Sequence, residues 1–225
     1  MSQAAVVHPP TSPPSSLDPS APATHLFLIR HGEVEERYHR VFGGTIDMDL
    51  SPRGHEQART LAEYLRDRPF DAIYASPMKR AQQTLAPLAA GREQPAVTVP
   101  ELHEVDFGDW MGLNFAQVLE RFHAHAYEWL HLLEQGQVPN AESVAALRGR
   151  IEPCVTRILR EHAGQSVAVV CHGGVIRAVL AILLELPLSK MSLFEVDYAS
   201  VTWVEIQSHK TEVQLLNFTP WRDLP

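Results

Sequence analysis

Cysteine is nearly absent from this 225-residue chain, occurring only at Cys154 and Cys171. Two cysteines make no disulfide framework and no zinc knuckle, and they read as buried, reduced thiols of a cytoplasmic protein. Long apolar runs are missing too. The longest, Val175 to Leu184, is interrupted by Arg177 and falls short of the ~18 residues that a membrane helix needs. The N-terminus has no basic stretch leading into a continuous apolar one, so it does not read as a secretory signal. There is no basic block either: 19 Lys and Arg stand against 27 Asp and Glu, a formal net charge of −8. That balance argues against nucleic acid or an anionic membrane as partner, although a pocket can be positive inside a negative protein.

What is present is ordinary globular composition, 45% hydrophobic and 20% charged, with one unusual end. Six of the 17 prolines lie within the first 24 residues, from Pro9 to Pro22. Residues 1–23, rich in Pro, Ser and Ala, cannot repay the entropy of ordering and read as a flexible, partly polyproline-like extension. Residues 24–225 suffice for a single well-buried domain.

Within that domain strands and helices alternate. His25–Arg30 is a continuous apolar run suited to a strand buried on both faces. Ser51-Pro52 opens a helix to about Arg66, with Ser as N-cap and Pro at the first helical position. Asp71–Ala75 reads as a second strand, Ser76-Pro77 as a second cap signature leading a helix to about Ala90, and Val97–Val99 as a short strand. The spacing of Phe115, Val118, Leu119, Phe122, Trp129, Leu130 and Leu133 predicts a helix over 114–134. A further helix is expected over 143–162, a strand over 166–171, an apolar helix after Gly173-Gly174, and an edge hairpin from 200–206 and 211–218. The expected architecture is three-layer α/β/α around a mostly parallel central sheet.

Three places carry chemistry, all at the junction of a strand's carboxyl end and the next segment, where ligands of open α/β sheets bind. They are Arg30-His31-Gly32, Ser76-Pro77-Met78-Lys79-Arg80 and His172-Gly173-Gly174. Transfer of a phosphoryl group through histidine needs this combination. Arg30 and Arg80 offer forked donors to phosphoryl oxygens, a protonated His172 adds a third cation, and neutral His31 attacks phosphorus. A carboxyl must then protonate the leaving oxygen and later activate water. Glu104 suits this best, with Asp106 and Asp109 as competitors in the same loop-like stretch.

These blocks, in order, resemble the histidine phosphatase superfamily, whose fold is phosphoglycerate-mutase-like. Arg30-His31-Gly32-Glu33 is similar to its opening signature. Gly44–Asp47 with Leu50-Ser51, Ser76–Thr84, Leu102-x-Glu104 with Gly108-Asp109-Trp110, Glu142-Ser143 and His172-Gly173-Gly174 match its later blocks. The resemblance implies a phosphomonoester hydrolase acting on a small phosphorylated metabolite, with no metal and no cofactor. It implies that His31 is the nucleophile, that Arg30, Arg80 and His172 bind phosphate, and that Glu104 is the proton donor.

Glu104 and His172 stand 68 positions apart, short for the mutase branch, and no Arg-rich run follows Glu104. The compact phosphatase branch fits better, with similarity to α-ribazole phosphatases and to broad-specificity phosphatases. The alternatives are an α-ribazole-5′-phosphate phosphatase specifically, or a phosphoglycerate mutase. The chain departs from the family at Arg37, where Asn is frequent. Arg37 is either a second anion contact for substrate or a solvated charge beside Glu35 and Glu36.

The remaining features have plainer readings. His123, His125 and His131 share no i,i+3 or i,i+4 spacing and do not converge on an ion. His55-Glu56 begins like a zinc-protease helix, but position 59 is Arg. The stripe of Phe115, Phe122 and Trp129 reads first as core, with a roof over the pocket as the functional alternative. The C-terminal hairpin offers an edge through which a homodimer could pair.

Overall fold

A computed structural model describes residues 22–224. The extension expected over residues 1–23 lies almost wholly outside them. The strands are β1 (Thr24–Arg30), β2 (Ala72–Ala75), β3 (Val97–Thr98), β4 (Ser166–Cys171), β5 (Val201–Ile206) and β6 (Thr211–Phe218). The helices are α1 (Pro52–Tyr64), α2 (Lys79–Ala89), α3 (Phe115–Phe122), α4 (Trp129–Glu134), α5 (Val144–Glu161), α6 (Gly173–Leu183) and α7 (Pro220–Asp223).

One six-stranded sheet runs in the order β3-β2-β4-β1-β5-β6. The pairs β2–β3, β2–β4 and β1–β4 are parallel, while β1–β5 and β5–β6 are antiparallel. The C-terminal hairpin is therefore the edge the sequence predicts. Successive side chains of a strand point to opposite faces, and β1 is apolar on both. Leu26 and Leu28 join one core with Val167, Val169, Leu147, Ile151 and Ile176. Phe27 and Ile29 join the other with Ala168, Val170, Leu61, Leu65 and Leu85. Helices α5 and α6 thus cover one face and α1 and α2 the other, giving three layers. No helix among the described residues is long and apolar enough to cross a membrane.

Two local expectations change. The helix expected over 114–134 is two, because His123 ends α3 in the left-handed conformation at φ 53° and a 3₁₀ turn over Ala126–Glu128 intervenes before α4. The apolar phase survives the break, since Phe115, Phe122 and Trp129 are spaced by sevens. Ser76-Pro77 also does not cap α2. The N-cap is Met78, and the Ser76 hydroxyl instead shares a buried 2.7 Å hydrogen bond with His172 Nε2.

β1 and β4 lie side by side with Arg30 opposite Cys171. The residues that follow them, His31 and His172, consequently leave the sheet together. The His31 amide donates to the Cys171 carbonyl at 3.0 Å, and the Ser76 amide donates to the Val170 carbonyl at 2.9 Å. All three chemistry-bearing segments are therefore hung from the carboxyl end of β4.

Candidate active site

His31 is buried, and its ring lies 5.2 Å from that of His172, centroid to centroid. Its Nδ1 is 2.7 Å from the Gly32 carbonyl. A carbonyl only accepts, so Nδ1 carries the proton and Nε2 carries the lone pair. Arg80 Nε donates to that Nε2 at 3.2 Å. Burial, then the nearby Arg80 and Arg30 guanidiniums, hold the imidazole well below the ordinary histidine range. His31 is thus a neutral base with its unprotonated nitrogen fixed beside a cation.

Gly32 has to be glycine here: a Cβ would sit 2.6 Å from the Gly54 carbonyl oxygen at the start of α1. The Gly32 amide donates to Thr84 Oγ1 at 2.9 Å, tying the loop after β1 to α2.

Arg80 occupies the first turn of α2 and is buried. Its terminal nitrogens donate to the Ile46 and Gly44 carbonyls at 2.7 and 2.9 Å, so the segment Gly44–Asp47 serves to aim it. Arg30, at the end of β1, donates from Nη1 to the Val196 carbonyl at 2.6 Å and lies 4.1 Å from the centroid of the Tyr198 ring. Its Nε is buried without a hydrogen-bond partner among the described residues, as is His172 Nδ1. Buried polar atoms left unpaired beside a cleft are what an arriving anion would satisfy. His172 is held well below the ordinary histidine range by burial, then by Arg80, His31, Arg30 and His103. It is therefore neutral here, and the third cation expected of it requires a phosphoryl dianion to draw the proton in.

Glu104 faces this group across the cleft. Its carboxylate accepts from the Val105 amide at 2.9 Å and the Gly174 amide at 3.1 Å. The loop bearing it is fixed from behind by Arg150 of α5, which donates to the carbonyls of His103 and Glu104 at 2.8 and 3.3 Å and pairs with Glu142 at 2.6 Å. The competing carboxylates are engaged elsewhere. Asp106 accepts from the Gly108 amide, and the exposed Asp109 accepts from Asn140. Neither lines the cleft, and neither does Arg37. The Arg37 side chain is 68% exposed and paired with Glu35 at 2.8 Å. Of the two readings of Arg37, its position matches the solvated charge.

The cleft holds about 220 Å³ and brings together Arg30, His31, Arg80, Glu104 and Gly174. The sequence matches the family description Histidine phosphatase superfamily (branch 1) over residues 26–219. The chain belongs to the histidine phosphatase superfamily. It is 30% identical to phosphoserine phosphatase 1 of Hydrogenobacter thermophilus, over 86% of this chain and 92% of that one. It is 32% identical to 2,3-bisphosphoglycerate-dependent phosphoglycerate mutase 2 of Gloeobacter violaceus, over 85% and 90%. The alpha-ribazole phosphatase structure from Shigella flexneri superposes with a TM-score of 0.78 at 29% identity, covering 87% of this chain and 96% of that one. The family and these phosphatase relatives make the chain a hydrolase of phosphate esters.

This histidine phosphatase adds cleft residues that sequence reasoning missed. Arg177, one turn into α6, donates from Nε to the Phe194 carbonyl at 2.8 Å, with its guanidinium beside Gly173 and Arg30. Its signal was present as the lone charge in an apolar helix. Tyr198, under Arg30 and 5.6 Å from the His31 ring, carried no local signal, because it arrives from the turn before β5. The aromatic stripe divides. Phe115 and Trp129 line the cleft, while Phe122 packs toward buried Trp110.

Proposed function

We propose that this chain hydrolyses small phosphomonoesters through a phosphohistidine on His31, with Arg30, Arg80 and His172 holding the phosphoryl oxygens and Glu104 as acid and base. The observation carrying this reading is the fixed tautomer of His31, whose Nε2 lone pair sits among cations and across from a carboxyl. The entering phosphoryl group takes over the Arg80 donor and leaves Nε2 free to attack phosphorus. The P–O bond to the alcohol breaks as the N–P bond forms, and Glu104, having taken up the proton that a monoanionic ester brings in, gives it to the departing oxygen. The ring becomes cationic, and its Nδ1–H strengthens the bond to the Gly32 carbonyl. Glu104, now a carboxylate, takes a proton from water as the water oxygen attacks phosphorus. Phosphate departs and neutral His31 returns.

An α-ribazole phosphate is one specific substrate this reading admits, supported by the Shigella relative. A mutase is the other alternative, supported by the Gloeobacter relative, and it differs by returning the phosphoryl group to an acceptor other than water. The test is p-nitrophenyl phosphate hydrolysis in excess chelator, with an enolase-coupled assay of phosphoglycerate interconversion beside it. Hydrolysis without interconversion is expected, and wild-type hydrolysis by His31→Ala would refute the mechanism.

We also propose a cytoplasmic location, supported by two buried, unpaired cysteines, and no nucleic-acid partner, supported by the charge of −8. The edge strand β6 is our proposed surface for a homodimer, to be checked by the mass measured in light scattering.

A further inference from the structure

Four aromatic rings form a belt along one side of the cleft. Phe42 stacks on Phe115 at 5.4 Å with 19° between planes, Phe107 lies 5.0 Å from Phe42, and Trp129 meets Phe107 edge-on at 5.4 Å. All four line the cleft, and Phe115 is 53% exposed. A belt that served only the core would not leave a ring open on the substrate side.

The position of the belt matters. Phe107, inside the belt, follows by three residues Glu104, the group that gives its proton to the leaving oxygen in the reading above, and both line the cleft. The phosphoryl group is held at Arg30, His31 and Arg80, which line the same cleft. Arg177 lies with Arg30 beside Gly173, not among the rings. A leaving group that extends past Glu104 therefore has these apolar faces to pack on.

We infer that the leaving alcohol of the substrate carries a flat, apolar ring that packs on Phe42, Phe107, Phe115 and Trp129. This rests on the phosphatase reading and specifies the class of ester. A charged alcohol such as that of phosphoserine would lose hydration against these rings. A ring-bearing alcohol gains burial and ring–ring contact.

The test compares benzyl and 2-phenylethyl phosphate with ethyl phosphate and O-phosphoserine. All are alkyl esters, so leaving-group chemistry is closely matched and the comparison reads recognition. The ring-bearing esters are expected to show kcat/KM at least about tenfold higher. Phe115→Ala should lower the ratio of benzyl to ethyl phosphate, and Phe115→Tyr, which keeps a ring, should restore it. Hydrolysis of all four esters with no ring preference, or a preference for phosphoserine, overturns the inference and leaves the phosphatase reading standing. Hydrolysis of none, p-nitrophenyl phosphate included, overturns both. The wild-type panel decides even where a variant fails to fold.

Discussion

Replacing Gly174 with alanine tests the acid separately from the phosphate site. Gly174 is the second residue of α6, and a methyl there would stand 2.5 Å from Glu104 Oε1 and 2.8 Å from Val105 Cγ2. The first distance is about 1 Å inside ordinary non-bonded contact. The carboxylate is the tip of a flexible side chain and the helix is not, so Glu104 gives way and loses its 3.1 Å bond from the Gly174 amide. Alanine favours the helix by ~1 kcal/mol and crowding costs ~1–3 kcal/mol, so the fold survives and the melting temperature moves by only a few degrees. Moving a general acid by about 1 Å costs on the order of 10²-fold, or ~2.7 kcal/mol, in the step that needs its proton. An alkyl phosphate needs that proton and p-nitrophenyl phosphate does not. The measurement is kcat/KM, which for a ping-pong enzyme reports steps up to phosphoenzyme formation. We expect a fall of about 100-fold for an alkyl ester and less than about threefold for the nitrophenyl ester. Equal falls on both, or no fall on the alkyl ester, would refute the assignment of Glu104.

The buried histidines link stability to pH. Both His31 and His172 are held well below the ordinary range by burial first, while in the unfolded chain they take up protons near pH ~6.5. The unfolded state therefore binds more protons below that pH, and stability falls as pH drops from about 6.5 toward 5, by up to ~1.4 kcal/mol per pH unit for each histidine. Urea midpoints from pH 5 to 7.5 would show this, and His172→Gln should flatten part of the slope. A midpoint that rises toward pH 5 would contradict a neutral pair. Arg37→Ala should leave kcat/KM within about twofold, because the side chain is exposed and paired with Glu35. A loss above tenfold would show that Arg37 reaches substrate.

Residues whose placement is set by their own strand end were legible in the sequence. Arg30-His31-Gly32 and His172-Gly173-Gly174 each sit where a buried apolar run stops, and the glycines mark close backbone approach. The mostly parallel sheet followed from alternation of strands and helices, and the edge hairpin from the two last strand patterns, whereas the strand order is set by tertiary pairing. What escaped depends on tertiary contact. Tyr198 reaches the cleft only because β5 runs antiparallel beside β1, and Arg150 acts on the Glu104 loop from a helix more than forty residues away. The break at His123 was hidden because seven-residue spacing keeps the apolar phase across it. Ser76 looked like a cap because Ser-Pro usually is one, and its hydroxyl was claimed by His172 instead.

Bond formation between His31 Nε2 and phosphorus is read out by rapid quench with a ³²P-labelled ester. We expect an acid-labile, base-stable phosphoenzyme that carries the label on Nε2 of His31, forms in His31-containing protein without metal, and is absent from His31→Ala. A label on Nδ1, on another residue, or no phosphoenzyme during active turnover would contradict it.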